Sequence, residues 1–329
     1  MKGVVAAGSP VTVQAGLFAF EAGGNAVDAA VAAQLCACIA EPLLTGLGGG
    51  GLAMVRMGGK VLTCDFFSDA PSGHGPMHSV ELDFGPTTQV FHVGPSSIAL
   101  PGLPAGLWAM HQRWGRVPLR ELVQPAVHAA REGVRVSSGF ARVLELLWPI
   151  QQLSPTSAEL FGPGGTALVE GDIFRNPRLA ETLLAFVEEG PELFRTGHVA
   201  QLLLEAAPGL TQADLLHYQP AFSEALAIPY RNTTAWLPAQ PSQGGFQVAR
   251  ALVELGQGPM PRPFGFDHVD RLAMAMDHAE KEGGLMADTI FQPGFQQRYL
   301  GQAGSGFTTH VSAVDAEGNA VVLTSSLGE

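Results

Sequence analysis

Twelve consecutive residues, 29–40, carry a single polar side chain, Gln34. Asn25 or Asp28 opens a helix through this run and Pro42 closes it. A helix that is apolar all round must be covered on most sides. The run is well short of the ~20 residues that span a bilayer, so the cover is protein rather than lipid. The chain has the material for it: of 329 residues, 46% are apolar and only 15% charged. That composition leaves little room for disorder and fits one large domain or two ordinary ones.

Around this helix, hairpins rather than single strands alternate with helices, which argues against a parallel doubly wound sheet. Residues 4–7 read as a strand. Ser9 and Pro10 start a helix that Gly23-Gly24 stops. After Pro42 the run Thr45-Gly46-Leu47-Gly48-Gly49-Gly50-Gly51 enters a hairpin, 52–56 and 61–66, about a Gly58-Gly59 turn. Residues 66–93 read as irregular. Helices are expected over 107–114, 117–133, 138–148, 176–187, 194–207, 246–255 and 267–282. A loop is expected over 155–171 and extended chain over 222–236. Gly46 to Gly51 is not a phosphate cradle, because it leaves a helix and enters a strand, the reverse of what phosphate binding requires.

Several function classes are excluded or disfavoured. The formal charge of −12 and the lack of a Lys/Arg cluster argue against nucleic acid. Cys36, Cys38 and Cys64 match neither a zinc pattern nor a disulfide framework. His74 and His78, flanking Pro76, have no carboxylate or cysteine at ligand spacing, so no metal and no cofactor is expected. Met1-Lys2 runs directly into Gly3-Val4-Val5 with no room for a leader's apolar core, so the sequence as it stands reads as cytoplasmic, without a membrane span.

The last stretch reads as a second hairpin, residues 311–315 and 320–324 about Gly318-Asn319. Gly301-Gln302-Ala303-Gly304-Ser305-Gly306 delivers the chain to Thr308. A threonine can act as an acyl-transfer nucleophile when its own free α-amine serves as base, which requires it at a chain N-terminus. Thr308 reaches that position only by scission of the Phe307–Thr308 bond. Residue type alone favours an ordinary strand threonine. His310 lies on the same strand face as Thr308. A hydrogen-bonded structural role is favoured for it over support of the nucleophile. Arg56 reads as a surface strand residue, with reach toward the site as the other possibility.

The wider sequence resembles the γ-glutamyltranspeptidase family, whose members are heterodimers made by self-cleavage of one precursor. The matching blocks run in order along nearly the whole chain. They are Glu21-Ala22-Gly23-Gly24-Asn25-Ala26-Val27-Asp28-Ala29-Ala30-Val31-Ala32; Gly46 to Gly51; Asp65-Phe66 with Ala70-Pro71; Pro101-Gly102 with Ala105-Gly106-Leu107; Gln124-Pro125-Ala126; Asn176-Pro177-Arg178-Leu179-Ala180; Pro241-Ser242-Gln243-Gly244-Gly245; and Thr308-Thr309-His310 with Ser312, Val314-Asp315 and Gly318-Asn319-Ala320-Val321.

The resemblance implies an α+β fold, the αββα sandwich of N-terminal-nucleophile hydrolases. Residues 1–307 correspond to the large subunit and 308–329 to the first hairpin of the small one. The family's small subunit continues beyond the position of Glu329, so an incomplete sandwich is expected, with a separate small-subunit chain as a possible partner. The implied activity is that of an amide hydrolase or acyltransferase on glutathione or related γ-glutamyl or N-acyl compounds. The alternative is an unprocessed, inactive fragment of the family. The resemblance makes Thr308 the nucleophile and Ser326 a supporting hydroxyl. At Phe67 the family carries an arginine that pairs with the glutamyl α-carboxylate, a clamp that a phenyl ring cannot replace. A more apolar acyl group is therefore expected. Gly328 stands where the family has a substrate-contacting asparagine. Family members are commonly exported.

Overall fold

The computed structural model describes residues 2–85, 87–239, 242–290 and 308–327. The Gly-rich run before Thr308, Phe307 and Gly328 lie outside the described residues.

Six strands form one antiparallel sheet: β1 Gly3–Ala7, β2 Gly50–Met57, β3 Lys60–Phe66, β4 Ala221–Glu224, β5 Thr308–Asp315 and β6 Ala320–Ser326. Their order is β1-β5-β6-β2-β3-β4. The hairpin of β5 and β6 thus lies inside the sheet, between β1 and β2, which come from the first part of the chain. Helices α1 (Pro10–Glu21), α2 (Ala26–Ala40) and α3 (Leu103–Trp114) pack on one face.

The expected all-round cover of α2 is real. Every residue from Ala26 to Ile39 is buried, between β5 and β6 on one side and α1 and the helix Gln124–Glu132 on the other. Asn25 and Asp28 share the start of α2. The Asn25 side chain accepts from the Val27 and Asp28 amides at 2.8 and 3.1 Å, and Asp28 accepts from the Asn25 amide at 2.8 Å. This reciprocal cap satisfies donors that a helix otherwise leaves unpaired. Inward side chains of the sheet, Val311, Ala313, Val321, Leu323, Ala53 and Val55, complete the core against α2.

Most of the expected elements form, and the departures have local causes. Residues 66–93 are not wholly irregular, because His78–Asp83 pairs with Thr88–Val93. Only Leu82 and Phe91 of that hairpin are buried, so apolar alternation is too sparse to announce it. Residues 155–171 are not all loop. Ser154 accepts from the Ser157 amide and Pro155 begins a helix to Phe161, the arrangement in which proline suits a first turn. The expected helix over 117–133 is two, Leu119–Leu122 and Gln124–Glu132, and that over 194–207 divides at Gly197 into Glu192–Arg195 and His198–Ala206. Among the described residues, no helix is long and apolar enough to cross a membrane.

Candidate active site

Alternation along β5 divides its side chains between two faces. Thr309, Val311, Ala313 and Asp315 point to the helices and are buried, while Thr308, His310 and Val314 point outward and are exposed. The register pairs Thr308 with Ser326 and Ser326 with Gly50. A side chain on Gly50 would collide with the backbone amide and hydroxyl of Ser68 and the carbonyl carbon of Phe67. One row across the outward face therefore holds Thr308, Ser326 and Gly50, and ends at Phe67-Ser68. The three sequence-nominated residues share this row.

The glycine run earns its composition here. A Cβ on Gly49 would lie 2.2 Å from the Ser326 carbonyl oxygen. The Gly49 carbonyl in turn accepts from the Gly102 and Leu103 amides at 3.0 and 2.9 Å, at the start of α3. Gly49→Ala is expected to push the end of β6 aside and cost about 1–3 kcal/mol, as overpacking against backbone does. A urea-unfolding midpoint that stays at the wild-type value would contradict this close approach.

Phe67 is fixed through its backbone. Its amide donates to Asp65 Oδ1 at 3.0 Å, and its carbonyl accepts from the Tyr218 hydroxyl at 2.7 Å. The residue as a whole is 47% exposed. The next row holds His310, whose ring nitrogens lie 2.8 Å from Thr324 Oγ1 and 3.0 Å from Ser312 Oγ. Both nitrogens are engaged by hydroxyls, in keeping with the structural role favoured for His310. Arg56 pairs with Ala320, six positions along β6 from Ser326. At ~3.3 Å per residue that is about 20 Å away, and Arg56 is excluded from the Thr308 row.

Beneath this surface lie polar contacts that sequence reasoning missed. Thr309 donates its hydroxyl to Glu41, which also accepts from Thr12 at 2.9 Å. Buried Gln34 donates to Thr45 at 3.1 Å, and the Thr45 hydroxyl lies 2.8 Å from Ser325 Oγ. A polar residue inside the apolar run 29–40 was the one visible signal for this second group. The partners are far apart in sequence and gave none.

The cysteines take no part. Burial pushes the thiols of Cys36 and Cys38 up to about 12, with the Glu41 charge adding to the effect, and burial raises Cys64 also. Groups held so firmly as thiols are poor nucleophiles. Among the described residues, no three His, Cys, Asp or Glu side chains cluster as metal ligands would.

The gamma-glutamyltranspeptidase family model matches residues 12–303. The glutathione hydrolase proenzyme of Pseudomonas aeruginosa is 28% identical over 362 residues, covering 99% of this chain and 64% of that protein. The acylase ACY 1 proenzyme of a Pseudomonas species is 29% identical over 365 residues, covering 99% of this chain and 65% of that protein. The structure of Helicobacter pylori gamma-glutamyltranspeptidase superposes with a TM-score of 0.79 at 25% identity, over 89% of this chain and 87% of that one. The chain spans about three-fifths of the length of the curated relatives it matches. By sequence along most of its length, and by its fold, the chain belongs to the gamma-glutamyltranspeptidase family.

Proposed function

We propose that the chain forms the nucleophile-bearing part of an amide hydrolase or acyltransferase, acting on glutathione-like γ-glutamyl or other N-acyl compounds and armed by self-cleavage before Thr308. The observation that carries this reading is the outward row, which sets the Thr308 position beside Ser326 on an exposed sheet face with the Phe67-Ser68 backbone at its far end.

In the arming step, Thr308 Oγ attacks the carbonyl carbon of residue 307. The C–N bond breaks, a C–O ester forms and the hydroxyl proton passes to the departing amine. Water then hydrolyses the ester, leaving one segment that ends at Phe307 and one that begins at Thr308 with a free amine. That amine takes the Thr308 proton as the hydroxyl attacks a substrate amide, and delivers it to the leaving amine. Water or an acceptor amine releases the acyl group. Ser326 is the supporting hydroxyl. This reading also calls for the remainder of the relatives' length.

Intact mass after prolonged incubation tests the arming step. Two pieces that meet between Phe307 and Thr308 are expected, whereas a chain that stays whole would leave an inactive family member. The acyl group is tested separately, by turnover of acyl anilides. An anilide of an aliphatic acid is expected to be preferred over the γ-glutamyl anilide. Phe67→Arg is expected to move that preference toward γ-glutamyl by about 10–100-fold, the worth of a charge-assisted pair of ~1.5–3 kcal/mol. An unmoved ratio would remove Phe67 from acyl selection.

A further inference from the structure

We propose that Glu41 is a positioning residue for Thr308, acting through Thr309. The inference rests on the reading of Thr308 as nucleophile and adds a residue to it.

The sheet itself holds this end of β5 on one side only. Pairing between β1 and β5 runs from Gly3–Asp315 to Ala7–Val311 and stops there, while pairing with β6 continues to Thr308–Ser326. On the β1 side, Thr308, Thr309 and His310 therefore have no ladder partner among the described residues. An edge of this kind is free to twist, and a twist there would swing Thr308.

Glu41 supplies a tie at that point. Its backbone is anchored by its own amide, which donates to Ala37 at 2.8 Å, and by its carbonyl, which accepts from Leu44 and Thr45 at 2.9 and 3.1 Å. Its carboxylate takes the hydroxyls of Thr12, from α1, and Thr309, from β5. Room for it is made by Gly8, where a Cβ would lie 2.5 Å from Glu41 Oε2. Thr12 is fully buried and Thr309 is 3% exposed, so both donors are shielded from competing water, where such bonds count for most. Holding Thr309 inward sets the rotation of the strand, and that rotation aims Thr308 outward. Ser325, the cross-strand partner of Thr309, is held in the same way by Thr45 and Gln34.

The test follows scission by intact mass after cell-free synthesis of the full chain, with thermal unfolding of each variant as the control for folding. Glu41→Ala and Thr309→Val are each expected to slow scission about tenfold or more, in the range that small misplacements of a reacting group cost. Combining them is expected to slow it no further, because both break one contact. Glu41→Gln keeps an oxygen for the Thr309 hydroxyl and is expected to stay within about threefold of wild type. Loss through general instability would instead add in the double variant and follow the melting temperature. If Glu41→Ala does not fold, Thr309→Val, which exchanges one hydroxyl for a methyl, carries the test alone. Wild type that splits while either single variant keeps pace overturns the positioning role. A wild-type chain that never splits removes the nucleophile and the proposal together.

Discussion

Thr308→Ala is expected to leave the chain in one piece while the wild type divides, a fall in scission rate of at least about a thousandfold, on the scale of deleting an acyl-transfer nucleophile. The neighbouring threonine cannot take over. Thr309 sits one residue along, so its hydroxyl is on the opposite face of β5, committed to Glu41 and shut away from the outward row. Serine at position 308 retains the hydroxyl and is expected to restore scission. Because Thr308 is exposed, the alanine variant is expected to melt within about 0.5 kcal/mol of wild type, as surface changes do. Ser326→Ala is expected to lie between, slowing scission about tenfold for one lost hydroxyl contact of ~1.4 kcal/mol. Intact mass with N-terminal sequencing of the smaller piece measures all three. A Thr308→Ala chain that still splits before residue 308 would place the chemistry elsewhere.

What the sequence made legible follows from the range of the interactions. The cap at Asn25 and Asp28 involves residues three apart, and the two central hairpins have tight glycine turns, so each element carries its own signal. The outward placement of Thr308 and His310 also follows from strand alternation alone. The row that joins Thr308 to Phe67 does not. It exists because β6 pairs with β2, which lies at the other end of the chain. The same holds for Glu41 with Thr309 and Thr45 with Ser325, separated by 268 and 280 positions. Arg56 shows the converse. Residue type left it open as a cation for the site, and only the register set it at the wrong end of the strand. The hairpin His78–Asp83 with Thr88–Val93 escaped because two buried residues in twelve make no period.

Asp28→Ala is expected to cost the fold about 3–5 kcal/mol, since it leaves three backbone donors with no acceptor, each worth about 1–3 kcal/mol when buried and unpaired. Asp28 has no exposed surface. One carboxylate accepts from the Asn25 amide at 2.8 Å, the Arg116 amide at 3.0 and 3.1 Å and the Val117 amide at 3.3 Å. It thereby joins the start of α2 to the segment that follows α3. Asparagine fits the space but is expected to lose most of the same energy, because its amide group would face one of those donors with another donor. The damage should reach the Thr308 hairpin. Arg116 pairs with Glu317 at 2.6 Å in the β5–β6 turn, and Asp315 accepts from the Ala26 amide at 3.1 Å, so the hairpin is fastened to the same helix start. Arg116→Ala supplies the contrast. Its pair with Glu317 is solvent-exposed and is expected to contribute far less than the buried carboxylate. Urea unfolding ranks the three variants, and amide exchange over residues 308–327 reports the hairpin. Equal midpoints for Asp28→Ala and Arg116→Ala would show that the buried carboxylate is not what fastens the Thr308 strand to α2.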